Sequence, residues 1–438
     1  MHNHPTGPEN AEKIEARRVR SMVVGAAVGN SVEWFDWYIY SAMALYFAPV
    51  FFPRGDTTAQ LLNAAGVFAI GFLMRPLGGW LLGLYADRHG RKAALTLSIM
   101  MMSLGSALIA VTPGYASIGL AAPVLLVMAR LLQGLSVGGE YGASATYITE
   151  VAAKHRRGFY SSFQAMTGIL GQLGAMAVLV VLQQWLLTPE QLADWGWRIP
   201  FVIGAMAALV ALILRRRLVE TDSYATAKDR VRTTPVAEQW RAIFKYPREV
   251  MVVVGLTLGG IVAYYTYTTY AQKFLVNTAG LTKDQATAVS AGTLLVYMLI
   301  QPLFAALSDR IGRRPLLIGF GVLGSLLTVP IMTAISMSTD PWVAAGLIMV
   351  ALVIVSGYTS INAVVKAELF PTHVRAVGVA LPYAVTVSIF GGTAELIALA
   401  LKNAGHEAWF YWYVSGCILV SLIVYLTMTD TRGRDLDK

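Results

Sequence analysis

Long apolar runs alternate with short polar segments along almost the whole chain, and a run of about 20 apolar residues is what one helix needs to cross a bilayer. The pattern predicts spans near 21-48, 59-84, 93-112, 117-149, 158-184 and 197-214. After a polar, basic stretch it predicts spans near 249-276, 284-307, 314-337, 341-367, 375-401 and 408-428. The intervening stretch, 215-248, opens Arg215-Arg216-Arg217 and holds Pro235 and Pro247, the composition of a linker. The expectation is an all-α membrane protein of twelve transmembrane helices in two six-helix bundles. Its divisions are an N-terminal tail over 1-20, one bundle over 21-214, the linker over 215-248, a second bundle over 249-428 and a C-terminal tail over 429-438.

The two halves repeat one another at their loops. Gly83-Leu84-Tyr85-Ala86-Asp87-Arg88-His89-Gly90-Arg91-Lys92 follows the second span, and Ala305-Ala306-Leu307-Ser308-Asp309-Arg310-Ile311-Gly312-Arg313-Arg314 follows the eighth. Positive-inside loops explain the basic residues but not the repeated Asp and Gly, so the repeat points to a duplicated membrane unit. A second pairing follows spans four and ten. Glu150 precedes Arg157, and Glu368 precedes Arg375, at the same separation. Together, Asp87, Arg91, Glu150, Arg157, Asp309, Arg313, Glu368 and Arg375 form a candidate gating network, because such ion pairs can hold helix ends together in one state and part in another.

Composition agrees with lipid as the main solvent. Of 438 residues 56% are hydrophobic and 13% charged, against about 25% charged in soluble domains. The net charge of +9 does not indicate nucleic acid, since the basic residues lie in short loops and not on one soluble face. The lone Cys417 excludes an intrachain disulfide, and the histidines have no metal-ligand spacing. Neither metal nor other cofactor is expected. The first apolar run is too long for a signal-peptide core and is expected to remain as a span. Most lysines and arginines fall on one side of the predicted topology, with Arg54, Arg198, Lys273, Lys283 and Lys402 on the other. Both termini are therefore expected to be cytoplasmic.

Charges inside the spans are the candidate chemistry. Asn30, Glu33, Asp36, Trp37 and Tyr40 share one stripe of the first span. Two carboxyl groups at mid-depth must face a cavity or another helix, and a carboxyl in a low-dielectric site is suited to taking up and releasing a proton. Arg130, at similar depth in span four, is the expected counter-charge, so Glu33, Asp36 and Arg130 are the candidate proton-coupling set. Arg75 either pairs with Glu140 or faces the cavity and meets an anion. Tyr264 and Tyr267 share a face of span seven, and with Arg75, Gln164 and Lys273 they make the candidate substrate set. Lys273, about 24 residues into its span, is expected near the outer mouth. Gln133, Gln172, Gln301 and Glu395 are weaker polar signals, and Thr359, Asn362 and Lys366 share a face of span ten. No nucleophile-base-orienter set appears in the spans, so an enzyme is not expected.

Twelve spans in two halves, with Gly-x-x-x-Asp-Arg-x-Gly-Arg-Lys after span two, resemble the major facilitator superfamily over the whole chain. Gly29-Asn30-Ser31-Val32-Glu33-Trp34-Phe35-Asp36-Trp37-Tyr38, Phe72-Leu73-Met74-Arg75-Pro76-Leu77-Gly78-Gly79 and Gln133-Gly134-Leu135-Ser136-Val137-Gly138-Gly139-Glu140-Tyr141-Gly142 resemble its metabolite:proton symporter family. Phe274-Leu275-Val276-Asn277-Thr278-Ala279-Gly280 and Lys366-Ala367-Glu368-Leu369-Phe370-Pro371 are most similar to the bacterial α-ketoglutarate permeases within it. The resemblance implies the major facilitator fold and uptake of 2-oxoglutarate with protons across the inner membrane by alternating access. The implied partners are a small carboxylate, protons and lipid, and a monomer is expected. Members that carry proline and betaine share the Glu33, Arg75 and Glu140 motifs, so those positions alone do not define an anion site. Citrate, shikimate, a C4 dicarboxylate or a zwitterion remain alternative solutes. A membrane sensor with the same fold would need a signalling domain or tail.

Overall fold

The computed structural model describes residues 8-89, 91-138, 149, 152, 154-217, 243, 245-371 and 374-433. It describes their side chains except those of 8-29, 86-88, 91, 92, 95, 154 and 211-217. Among the described residues every regular element is helical. The first half contains α1 (Pro8–Phe51), α2 (Thr57–His89), α3 (Arg91–Val111), α4 (Ala121–Val137), α5 (Arg157–Leu186) and α6 (Ile199–Arg217). The second contains α7 (Pro247–Asn277), α8 (Lys283–Ile311), α9 (Arg313–Ser336), α10 (Pro341–Ala367), α11 (Arg375–Asn403) and α12 (Ala408–Thr427). Most of 215-248 and the last residues of the C-terminal tail lie outside the described residues.

Helix ends follow local chemistry. Thr282 starts α8 with a capping box: its hydroxyl accepts from the Gln285 N–H, and the Gln285 side chain accepts from the Thr282 N–H. Asp340 accepts from the Trp342 N–H before Pro341 opens α10. Gly312 ends α8 and begins α9 at φ 102°, a left-handed conformation that only glycine adopts without strain. The Asp430 carboxylate then accepts from the Arg313 and Arg314 N–H groups at 3.3 and 3.2 Å, closing the positive end of α9. Two boundaries differ from the sequence expectation. α1 begins at Pro8, because Ala-Glu-Lys-Ile-Glu-Ala-Arg-Arg is built of strong helix formers. The start of span four is instead a short turn over Tyr115–Ile118 that breaks at Gly119, φ 58°.

Side chains are distributed as hydrocarbon demands. Trp185, Leu299, Leu326, Trp342 and Trp412 are exposed, while Asp36, Arg130, Lys273 and Lys366 are fully buried. Apolar surface costs nothing against lipid, but a charge there has no water, so the charged side chains turn inward. In the first half α1 packs on α5, α2 on α4, and α3 on both α4 and α6. In the second, α12 packs on α7 and α9, and α10 on α8 and α9. The halves meet along α5 with α8 and α2 with α11. Because α8 repeats α2 and α11 repeats α5 in the duplicated chain, a two-fold rotation exchanges these two contacts.

The α2–α4 crossing fixes the depth of Arg75 and Arg130. A Cβ at Gly134 would lie 2.1 Å from the Gly71 carbonyl oxygen, and one at Gly138 would lie 2.0 Å from the carbonyl oxygen of Arg75. Gly134 and Gly138, one helical turn apart, therefore let the two backbones touch, the small-residue packing used where no hydrophobic effect drives helices together. Gly134→Val should force α2 and α4 apart at a cost of about 1–3 kcal/mol. The expected outcome is a lowered melting temperature in detergent, whereas Gly346→Val, where nothing lies near the added Cβ, should leave it unchanged.

Candidate functional site

The polar stripe of α1 divides into two environments. Asp36 turns into the first half: its carboxylate accepts a short hydrogen bond from the Ser106 hydroxyl of α3 and one of 3.2 Å from the Gln133 amide of α4. The same amide nitrogen reaches the Ser106 hydroxyl at 2.7 Å, and the Gln133 carbonyl accepts from Arg130 Nη1, also at 2.7 Å. The guanidinium itself lies 4.0 Å over the Trp37 ring and 4.6 Å over Tyr40. The expected direct pairing of Asp36 with Arg130 is therefore corrected: Gln133 bridges them. The short Asp side chain reaches α3, while the arginine is drawn onto aromatic faces. Gly204 of α6 leaves the room, since a Cβ there would come within 2.2 Å of the Asp36 carboxylate.

Glu33 faces the other environment. With Asn30, Trp34 and Arg75 it lines a cavity between the halves that Val137, Gly138, Tyr383 and Val387 complete. Arg75 is 5% exposed, and its guanidinium carbon lies 4.0 Å from the Phe72 ring centroid, 4.1 Å from that of Trp37 and 5.2 Å from that of Trp34. Its Nε and Nη2 have no hydrogen-bond partner. Arg75 lines the cavity, and Glu140, the other candidate partner, lies outside the described residues.

A second cavity adjoins the first and is lined by Tyr38, Gln164, Tyr264, Tyr265, Thr359 and Asn362, with Trp34 and Tyr383 common to both. Gln164 and Tyr264 thus line one cavity. The Tyr264 hydroxyl lies 3.3 Å from that of Tyr38 and donates to Gln172 at 3.3 Å, tying α7 to α1 and α5. Tyr267 does not share this site. Its hydroxyl donates to Thr328 inside the second half, because a π-helical turn over Thr266–Tyr270 rotates it away from Tyr264.

Lys273 lies near the end of α7, as its count along the helix implies, but it is not open to water: it is fully buried and donates to Glu395 at 2.9 Å and to Ser41 of the first half at 2.5 Å. Its depth follows from the neighbours that cover α7: α1 on one side and α11 on the other. Lys283 donates to the Leu45 carbonyl at 2.9 Å and Asn277 to Thr58 at 3.2 Å, so this end of the bundle is joined across the halves.

At the opposite end Asp309 caps α5 from across the interface. It accepts from the N–H groups of Gly158 and Phe159 at 3.0 and 2.9 Å and from Arg313 at 2.7 Å. Arg313 Nη2 lies 3.6 Å from Glu368, which accepts from Thr431 at 2.6 Å. Burial pushes the Glu368 carboxyl up from its ordinary pKa, and the Arg313 charge pulls it down. Arg375 donates to the Ala367 and Phe370 carbonyls, both at 3.1 Å, and Arg157 is buried beside this cluster at the start of α5. The Asp87 and Arg91 side chains and Glu150 lie outside the described residues. Sequence reasoning missed Ser106 and ranked Gln133, Gln172 and Glu395 as weak; their one signal was a polar group in an apolar span. Among the described residues no cluster of His, Cys, Asp and Glu could hold a metal.

Residues 26–394 match the family model described as the Major Facilitator Superfamily. Over 431 residues the chain is 53% identical to the alpha-ketoglutarate permease of Escherichia coli (strain K12), with 98% of each chain covered. It is 35% identical over 410 residues to the citrate-proton symporter of Salmonella typhi, covering 90% of each. A solved structure of the proton:xylose symporter XylE matches with a TM-score of 0.75 at 20% identity, over 96% of this chain and 98% of that chain, which is a likeness of fold.

The buried Lys273–Glu395 pair gives a measurable consequence. Lys273→Met leaves a buried carboxylate without its counter-charge, at a cost of about 3–5 kcal/mol. Thermal unfolding in detergent should show that loss, and Lys273→Met with Glu395→Met should recover most of it. An equal loss in the single and double variants would mean that the pair is not what holds this end.

Proposed function

The chain belongs to the Major Facilitator Superfamily, and on that premise we propose that it is a proton-coupled symporter that imports 2-oxoglutarate across the bacterial inner membrane by alternating access. The observation that carries this reading is Arg75, a buried guanidinium with two N–H-bearing nitrogens unpartnered at a cavity between the halves. A carboxylate in a low-dielectric cavity needs a positive charge or several aimed donors. Identity of 53% over nearly the whole chain to an alpha-ketoglutarate permease supports the solute.

Charge balance supports the protons. A dianion entering an inside-negative cell works against ~2.3 kcal/mol per charge per 100 mV, and two protons moving with it cancel that charge. Asp36 is the group assigned to one of them. It is fully buried, it is linked to Arg130 through Gln133, and Ser106 and Gln133 donate to its charged form. Glu33, the second proton-coupling candidate on α1, lines the cavity together with Arg75.

The positive-inside rule assigns the Asp309 end, the linker and both termini to the cytoplasm. There Asp309 on the α5 amides and the Arg313–Glu368 contact act as the inner gate, while Lys273 on Ser41 joins the halves at the outer end. Each cycle breaks one set while the other holds. Glu150, Arg157 and Arg375, with Asp87 and Arg91 of the first half, complete the inner gate in this reading. The unit of transport is a monomer. Citrate is the second reading, favoured by the 35% identity to a citrate-proton symporter, and competition of labelled 2-oxoglutarate uptake by citrate separates the two.

Uptake into proteoliposomes with an imposed pH gradient tests the proposal directly. Asp36→Asn should abolish accumulation driven by the gradient and spare downhill exchange; a variant that still concentrates substrate normally would remove Asp36 from the proton path. At the anion site, Arg75→Gln should lower uptake at least about tenfold, the loss expected when a charged hydrogen bond is removed. Arg75→Lys should retain part of it. Unchanged uptake in both, at normal membrane levels, would move the anion site elsewhere.

A further inference from the structure

Arg75 accounts for one carboxylate of a dianion and leaves the second without a partner. The two cavities share Trp34 and Tyr383 as walls, and a cation backs each wall. Arg75 sits 5.2 Å from the Trp34 ring, and the ammonium of Lys366 sits 3.6 Å from the Tyr383 ring. Lys366 is fully buried. Trp34 and Arg75 come from α1 and α2 of the first half, whereas Tyr383 and Lys366 come from α11 and α10 of the second. Beyond the shared walls the second cavity is lined by the amides of Gln164 and Asn362 and by the hydroxyls of Tyr264 and Thr359, which here donate to Gln172 and Gln301 and would turn from them to meet a carboxylate.

We propose that the second cavity is the subsite for the substrate's second carboxylate, with Lys366 behind Tyr383 supplying its positive charge and setting the position of that ring. The proposal rests on the reading of Arg75 as the first subsite. A dicarboxylate would then run from a cation of one half, past the shared Trp34 and Tyr383 walls, to a cation of the other. This has a consequence for selectivity. A monocarboxylate can satisfy only one half, so it lacks the second contact that draws the halves together, and preference for two charges becomes a property of closure. Burying a dianion is otherwise prohibitive, because each carboxylate without a partner carries its full desolvation cost.

Ligand-dependent shifts in the thermal unfolding of the full-length chain in detergent, titrated with 2-oxoglutarate and with 2-oxopentanoate, test this. The second ligand replaces the distal carboxylate by a methyl group. The wild-type chain should bind 2-oxoglutarate at least about tenfold tighter than 2-oxopentanoate. Lys366→Gln should weaken 2-oxoglutarate about tenfold while leaving 2-oxopentanoate unchanged, and Lys366→Arg should keep the preference. A merely structural role for Lys366 would weaken both ligands alike, and that result, or no change in either, overturns the proposal. Should Lys366→Gln fail to fold, Asn362→Leu on the same cavity should reduce the same preference, and an undiminished preference overturns the subsite. A wild-type chain that binds both ligands equally, with both weakened by Arg75→Gln, would uphold Arg75 and refute the second subsite. No stabilisation by either ligand would refute the Arg75 reading and this proposal with it.

Discussion

A guanidinium stacked on aromatic rings is buried without spending its donors, and the central site depends on that distinction. The Arg75 guanidinium carbon lies close to the Phe72, Trp37 and Trp34 rings, so the ring quadrupoles offset part of the cost of removing the charge from water. An aromatic ring takes up none of the guanidinium's hydrogen-bond donors, and Nε and Nη2 are left without a partner. A salt bridge would have stabilised the burial as well, but it would have consumed the donors and cancelled the charge. The glycine crossing of α2 on α4 is the second condition, because it holds the arginine at this depth while its own backbone carbonyl touches Gly138.

Arg130 uses the same device toward a different end. Trp37 is shared by two guanidiniums, Arg75 at 4.1 Å and Arg130 at 4.0 Å from its ring centroid. Like charges sharing one ring disfavour each other, and the Asp36 carboxylate, reached through Gln133, is a nearby negative group that makes the arrangement tolerable. Adding a proton to Asp36 removes that compensation. A second negative charge arriving at Arg75 restores it, which is a physical route by which anion and proton can be coupled without touching each other.

The spans, the duplication and the inward charges were legible in the sequence because each is a periodic or compositional signal. Hydrocarbon leaves the chain little choice about where Asp36, Arg75, Arg130 and Lys273 point, and all four are buried. Partner choice was not legible. Asp36 and Arg130 stand at matching depths, yet the route between them runs through Gln133, which is set by side-chain reach and by the room left at Gly204. Tyr267 was placed beside Tyr264 on the spacing of an ideal helix, and the π-helical turn that begins at Thr266 invalidates that spacing. For Lys273, counting residues along its own helix gave a distance from the helix start. Whether the side chain meets water there is decided by α1 and α11, distant in sequence.

The interface between the halves joins both ends of the bundle by polar contacts of unlike kinds. At the Asp309 end a carboxylate meets two backbone amides at the start of α5 and a buried arginine, all strong and directional. At the Lys273 end one ammonium shares itself between Glu395 of its own half and Ser41 of the other. Separating the halves there costs Lys273 one hydroxyl contact while its ion pair with Glu395 stays intact, so no charge is left unpaired. Separating them at the Asp309 end strips the carboxylate of two amide donors but leaves it Arg313, which lies in the same half. For Asp309 and for Lys273 the ion-pair partner lies in the same half and the partner across the interface is neutral, while Glu368 also feels the charge of Arg157 from the other half. Parting the halves at these two side chains therefore costs hydrogen bonds and leaves each ion pair whole, whereas re-pairing ions across the interface would cost several kcal/mol each.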